Sequence, residues 1–254
     1  RAKLRETPDL VDIFDAKEAG DRVSAVQRVL YLMFTEGHLT STPDPQGGVR
    51  ADLCVEALRL ASMLYDHQLG RSSTTAALVA LMHFHLARLP GRLHDAGGLL
   101  LLQEQDRSRW SRDGIAEGLR WMKRAASDDD VVSHYHLEAA IAAEHCLAQS
   151  TEETAWTRIA DSYAMLERLA PSPLHRLGRA LAVAEVKGPE AGLALLDDWV
   201  PPTLMFTYDS AATAWWATRT ITTFSCGCGG PFVRSKTPAT CSRVRTTRAR
   251  LSSA

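Results

Sequence analysis

The side chains in this sequence best suited to chemistry are its histidines, its cysteines and one dense polar cluster. His83 and His85 stand two apart, as do His134 and His136. Two positions along a helix differ by about 200° around the axis, so neither pair readily shares a metal ion. His145 and Cys146 are adjacent, which is equally unsuited. Cys54 and His85 would act as a nucleophile and base only if they met in space and a third group oriented the imidazole. The sequence holds no Gly-x-Ser-x-Gly elbow and no phosphate-cradling glycine loop ending in Lys and Ser or Thr. From these spacings we expect no catalytic residues, no bound metal and no cofactor, and a chain that is not an enzyme.

The polar cluster is Gln105-Asp106-Arg107-Ser108-Arg109-Trp110, flanked by apolar residues. It has two possible uses: a contact surface for a partner, or an Asp–Arg network that fixes a loop against helices with Trp110 as its anchor. Charged groups inside a helical protein need partners in either case, which favours the network. Arg50, Asp52 and Glu56 form a second polar set. The candidate interaction or structural residues are therefore Arg50, Asp52, Glu56, Gln105, Asp106, Arg107 and Trp110.

The elements that must position these groups read as helices. Val23, Val26, Leu30, Met33 and Phe34 recur three or four apart and predict one helical face, ended by Gly37. Thr40 to Gly48 is a connector rich in turn formers. Leu53, Cys54, Ala57, Leu58, Ala61, Leu64 and Tyr65 predict the next stripe, with Arg50, Asp52, Glu56 and Arg59 on or beside its opposite face. Leu78, Leu81, Met82, His85, Leu86 and Leu89 predict a helix over residues 76–89, stopped by Pro90-Gly91. Asp95 to Gly98 is a turn, and Leu99 to Leu102 is either a strand or the first turn of a helix.

Ile115, Leu119, Met122 and Ala126 mark another helix, ended by Ser127 and the triplet Asp128-Asp129-Asp130. Tyr135 to Ala148 follows, then a capping box at Ser150 to Glu153 and a stripe from Trp156 to Leu169. Pro171-Ser172-Pro173 forces a turn before Leu174, Leu177, Leu181 and Ala184, and Gly188-Pro189 breaks that helix before Leu193, Leu196 and Trp199. The expected fold is all-α: stacked helical hairpins in a tetratricopeptide-like array.

Charge is balanced, with 29 Lys and Arg against 30 Asp and Glu, so no overall field favours nucleic acid or an anionic membrane. No apolar run approaches the ~20 residues that span a bilayer, and a cytoplasmic protein is expected. Cys54 and Cys146 sit among small apolar neighbours and read as reduced, buried thiols. After Asp209 the remaining 45 residues hold seven Arg or Lys and no acid. Cys226-Gly227-Cys228 is too tightly spaced for a zinc knuckle, and no helical or strand period runs through the segment. Residues 201–254 thus read as an irregular basic tail, disordered and out of frame with the preceding gene.

From Arg28 to Leu60 the chain reads RVLYLMFTEGHLTSTPDPQGGVRADLCVEALRL. Further landmarks follow in order: Leu81-Met82, Ala87-Arg88, the Asp95 to Gly98 turn, Gln105 to Trp110, Ile115 to Gly118, Tyr135 to Ala143, Pro171-Ser172-Pro173 and Gly188 to Leu193. In these segments the chain resembles the C-terminal extension of one group of bacterial extracytoplasmic-function RNA polymerase sigma factors, over about residues 22–200. Thr35, His38 and Gly178 stand where that group usually has Asn, Tyr and Asn.

The resemblance implies a helical, tetratricopeptide-like extension. Arg1-Ala2-Lys3 resembles the end of the promoter-reading helix-turn-helix, which makes residues 1–21 a remnant of region 4 and linker, and the sequence a fragment. It further implies a parent that binds core RNA polymerase and promoter DNA through regions upstream of this chain, and an array that contacts a protein partner or its own sigma core. The alternatives are a free-standing helical-repeat scaffold that binds a protein and a small enzyme with an unrecognised site.

Overall fold

The computed structural model describes residues 16–39, 49–94, 99–126 and 132–197. The fold is all-α. Regular structure among the described residues consists of helices and one isolated antiparallel bridge, Leu93 with Leu99. The α-helices are α1 (Ala16–His38), α2 (Ala51–Asp66), α3 (Ser73–Arg92), α4 (Arg112–Ala125), α5 (His134–Leu147), α6 (Trp156–Leu169), α7 (Pro173–Lys187) and α8 (Pro189–Ala194). Consecutive helices pack as pairs, and each pair packs on the next through α2 with α3, α3 with α5, and α6 with α7. This is a stack of helical hairpins, as the periodicities predict.

Local chemistry sets most of the helix ends. Ser72 caps α3 by accepting from the Thr75 amide at 3.2 Å, and Ser111 caps α4 through the Gly114 amide at 3.1 Å. Ser172 caps α7 through the Leu174 amide, with Pro173 in the first turn, where a missing N–H costs nothing. Gly188 ends α7 at φ +93°, a backbone angle that L side chains resist. At α5, the Ser133 amide donates to His136 Nδ1 at 3.1 Å, so Nε2 carries the proton and donates to the Ala125 carbonyl at the end of α4. His136 is thereby a joint between two helices.

Several expectations change. Over residues 21–38 of α1 the buried residues are Gln27, Leu30, Phe34, Thr35 and Gly37, while Val26 is 43% exposed. Polar groups can occupy that face because each finds a partner: Gln27 Nε2 donates to Thr75 Oγ1 at 2.8 Å, and Thr35 Oγ1 donates to the Tyr31 carbonyl at 2.8 Å. Helix α3 continues through Pro90 and Gly91 to Arg92, because Leu89, Gly91 and Arg92 are buried there and packing outweighs the ~3 kcal/mol penalty of an internal proline.

The segment Ser150 to Glu153 caps itself, with the Glu153 amide on Ser150 Oγ at 3.3 Å, whereas the N-cap of α6 is Ala155. Leu102–Glu104 is a 3-10 turn, and Leu193 is exposed at the end of a six-residue α8. The Asp95 to Gly98 turn, Ser127 with the aspartate triplet, Trp199, residues 1–15 and everything from residue 198 lie outside the described residues.

Two apolar cores share α5. The larger sets Cys54, Ala57 and Ala61 of α2 with Ala76, Ala77 and Ala80 of α3, small side chains that let helix axes approach closely. Leu78, Leu81, Met82 and Phe84 fill the volume around them, each burial stabilising by about 1.5–3 kcal/mol. Gly118 of α4 is required here, since a Cβ would lie 2.6 Å from the Phe84 ring. The smaller core joins Leu137, Ile141, Ile159, Leu166 and Ala182 of α5, α6 and α7.

Candidate functional site: a histidine and arginine cavity between the two cores

Fourteen of the 20 residues of α3 are buried, which is how a helix in the middle of a protein behaves. Charged residues on such a helix lose much of their contact with water whether or not a partner awaits them: Arg92 is buried, and His85 and Arg88 are half-buried. His85, Arg88 and Arg92 fall at spacings of three and four and so form one polar stripe. That stripe borders a cavity of about 310 Å³. Across from it, α5 presents Glu138, Ile141, Ala142 and His145, and α6 presents Trp156, Ile159, Tyr163 and Leu166. His38 from the end of α1, the Leu99 to Leu102 segment and Gln105 close the remaining wall beside α7.

Three histidines enter this region from three helices. His85 is pushed down to about 3 by burial and then by Arg88, and His145 to about 3 by burial and the same arginine. His38 is lowered well below the usual imidazole value by burial, with Arg92 next in weight. All three are neutral near pH 7. Arg92 Nη1 donates to His38 Nε2, which fixes the proton on Nδ1, and that nitrogen is buried without a hydrogen-bond partner. His145 Nδ1 is likewise buried and unpartnered, its ring edge-on to Trp156 at 5.4 Å. The His38 and His85 rings lie edge to face at 4.8 Å.

The arginines are the stronger anomaly. Arg88 and Arg107 both lie over Trp110, at 5.2 and 4.9 Å from the ring centre. Arg107 Nη1 donates to the His145 and Ala148 carbonyls at 2.8 Å each, satisfying acceptors that the end of α5 leaves open. Arg88 has no such anchor. Its Nε is buried and unpartnered, and none of the ion pairs among the described residues includes it. Burial lowers its pKa, yet a guanidinium stays charged at neutral pH. Arg88 is only half-buried, so its guanidinium keeps part of its contact with solvent, and the cation–π contact offsets about 0.5–2 kcal/mol of the remaining desolvation cost. Glu138 is the sole carboxylate among the described lining residues, and it accepts from Tyr31 Oη at 2.9 Å.

The sequence-selected residues divide between two places. Gln105 lines the cavity, donating from Nε2 to the Leu100 carbonyl at 3.1 Å, while Arg107 and Trp110 stand behind Arg88. Asp106 is not part of an Asp–Arg network: it is exposed and accepts from the Ser108 amide and hydroxyl at 2.9 and 2.6 Å, holding a 3-10 turn. Those bonds keep its carboxyl below the ordinary range.

Arg50 and Asp52 pair at 3.5 Å with side chains 52% and 75% exposed, and Glu56 holds Arg59. Water screens such exposed pairs, so they contribute little, and these residues do not border the cavity. His38, His85, Arg88, Arg92 and His145 were not selected from the sequence. The available signal was the His85, Arg88, Arg92 stripe on a helix apolar all round.

Cys54 and Cys146 are free and buried. Burial pushes the thiols up to about 12 and about 11, and they donate to the Phe34 and Phe84 carbonyls, so neither is a thiolate near neutral pH. His83 points away from His85, toward Glu117 and Arg120, as the two-residue spacing requires. Among the described residues, no group of three or more His, Cys, Asp or Glu is placed to hold a metal ion. Gly178 lines the cavity, and a Cβ there would sit 2.5 Å from Tyr163 Cζ, so glycine lets the tyrosine ring lie on α7.

Fold and cavity together define an all-α helical array with a half-open pocket lined by arginines and histidines. Residues 22–126 match a family of unknown function (DUF6596). The chain is similar to uncharacterized protein R00370 of Rhizobium meliloti (strain 1021), 39% identical over 192 residues, which are 76% of this chain and 43% of that protein. The chain thus spans less than half the length of that relative. No solved structure matches it.

Proposed function

We propose that this chain is the regulatory or interaction module of an extracytoplasmic-function sigma factor, its C-terminal helical extension. The parent would bind core RNA polymerase and start transcription at specific promoters, in the cytoplasm. The observation that carries the reading is the coincidence of its ordered sequence landmarks with joints of the array. Gln105 to Trp110 ties α3 to the end of α5, Tyr135 to Ala143 forms most of α5, and Gly188 to Leu193 carries the break between α7 and α8. The contact to the sigma core falls on the outward side of α1, where Val26, Val29 and Leu32 are 43%, 62% and 52% exposed. No described helix is long and apolar enough to cross a membrane.

Two experiments test this. Reading the gene upstream of the Arg1 codon should show, in frame, helical polymerase-binding and promoter-reading regions; an in-frame stop next to an initiator codon would instead favour a free-standing scaffold. In run-off transcription with core polymerase, the parent lacking residues 22–200 should initiate at an altered level, and unchanged initiation would remove the regulatory role.

A further inference from the structure

The cavity between the two cores is asymmetric in a way that packing alone does not explain. One wall is apolar and aromatic, made by Trp156, Ile159, Tyr163 and Leu181. The other carries Arg88, with His145 beside it and an unpartnered buried nitrogen on each. Arg88 and His145 are only partly buried, and the Arg88 Nη atoms are not among the buried unpartnered atoms. The guanidinium tip therefore stays accessible in a half-open space whose described lining holds a single carboxylate, which leaves room there for a partner. Its chemistry follows from theirs. A guanidinium donates only, and its planar fork matches a carboxylate. A metal cation is disfavoured by two arginines in the lining, and the one lining carboxylate, Glu138, is already held by Tyr31.

Size narrows the class. A space of 310 Å³ has room for about ten waters at ~30 Å³ each, hence a molecule of about ten non-hydrogen atoms. This lies at the small end of ligand pockets. We propose that the cavity is a binding site for a small organic carboxylate, its anionic group on Arg88 and His145 and its apolar body against Trp156, Tyr163 and Leu181. The inference stands apart from the sigma-factor reading, because it concerns what the chain itself binds.

Isothermal titration and thermal melting of the full chain at pH 7.5 test it, with phenylacetate and octanoate as probes, their amides as neutral counterparts, and inorganic phosphate as an anion without an apolar body. At least one carboxylate should bind and raise the melting temperature, while its amide and phosphate bind at least tenfold more weakly. Arg88→Met should lose at least tenfold in affinity for that carboxylate while keeping its helical circular dichroism. Leu181→Trp, which fills the apolar end without touching a charge, should also block binding. The proposal is overturned if no carboxylate binds, if amide or phosphate binds as well as carboxylate, or if both folded variants retain wild-type affinity.

Discussion

The side of α3 that carries Ala76, Ala77, Ala80 and Phe84 lies in the larger core, whereas the stripe of His85, Arg88 and Arg92 borders a cavity of about 310 Å³. Both belong to one helix, but His85 and Arg88 are only half-buried and face a half-open space, whereas the first side is fully buried. On the first, small residues allow close helix contact and each buried group touches apolar neighbours. On the second, partial burial leaves Arg88 Nε without a partner and holds the His85 imidazole neutral. Burial stabilises the fold in the first case and works against it in the second. The contrast shows that depth in a structure does not reveal a residue's role until its polar atoms have been accounted for.

Mutations should separate the two regions. Phe84→Ala, at a fully buried site, is expected to lower stability by about 3–5 kcal/mol in urea unfolding. A loss below 1 kcal/mol would show that α3 is not tightly packed on that side. Arg107→Ala removes charged hydrogen bonds to two carbonyls and should cost about 1.5–3 kcal/mol, since this arginine, unlike Arg88, anchors the end of α5.

Acid should act through the cavity. An unfolded histidine titrates near 6.5, while His85 and His145 titrate at about 3 in the fold, so the unfolded state binds more protons between these values. Their contribution to stability is whole above pH 6.5 and is lost as pH falls from there toward 3, by up to about 1.4 kcal/mol per pH unit for each group. Urea unfolding of His85→Gln with His145→Gln should show a flatter pH dependence over that interval than the parent. An equal slope would place the acid response elsewhere. At the small end, Glu56→Ala breaks only the exposed pair with Arg59 and should leave the melting midpoint nearly unchanged, the smallest shift of the set.

The array itself was legible in the sequence because helix periodicity and caps are local: the stripe from Trp156 to Leu169 and the Pro173 and Gly188 punctuation are the observed elements. Long-range pairing was not. Asp106 stands next to Arg107 in the chain, yet the two bond in different directions, one to Ser108 and the other to the end of α5. The spacing of His83 and His85 correctly kept them apart, but no spacing says that His38 meets His85 from another helix. Val26 joined the apolar stripe of α1 by periodicity alone, whereas Gln27 took the buried place because Thr75 answers it.

The comparison rests on Arg88 being an uncompensated charge and not a structural tie. Urea unfolding of Arg88→Met at pH 7.5 addresses this directly. Replacing an unpaired, half-buried guanidinium with an apolar side chain of similar length should leave stability unchanged or raise it. A loss of 3 kcal/mol or more, of the order expected for Phe84→Ala, would show that Arg88 holds the fold together and contradict the account.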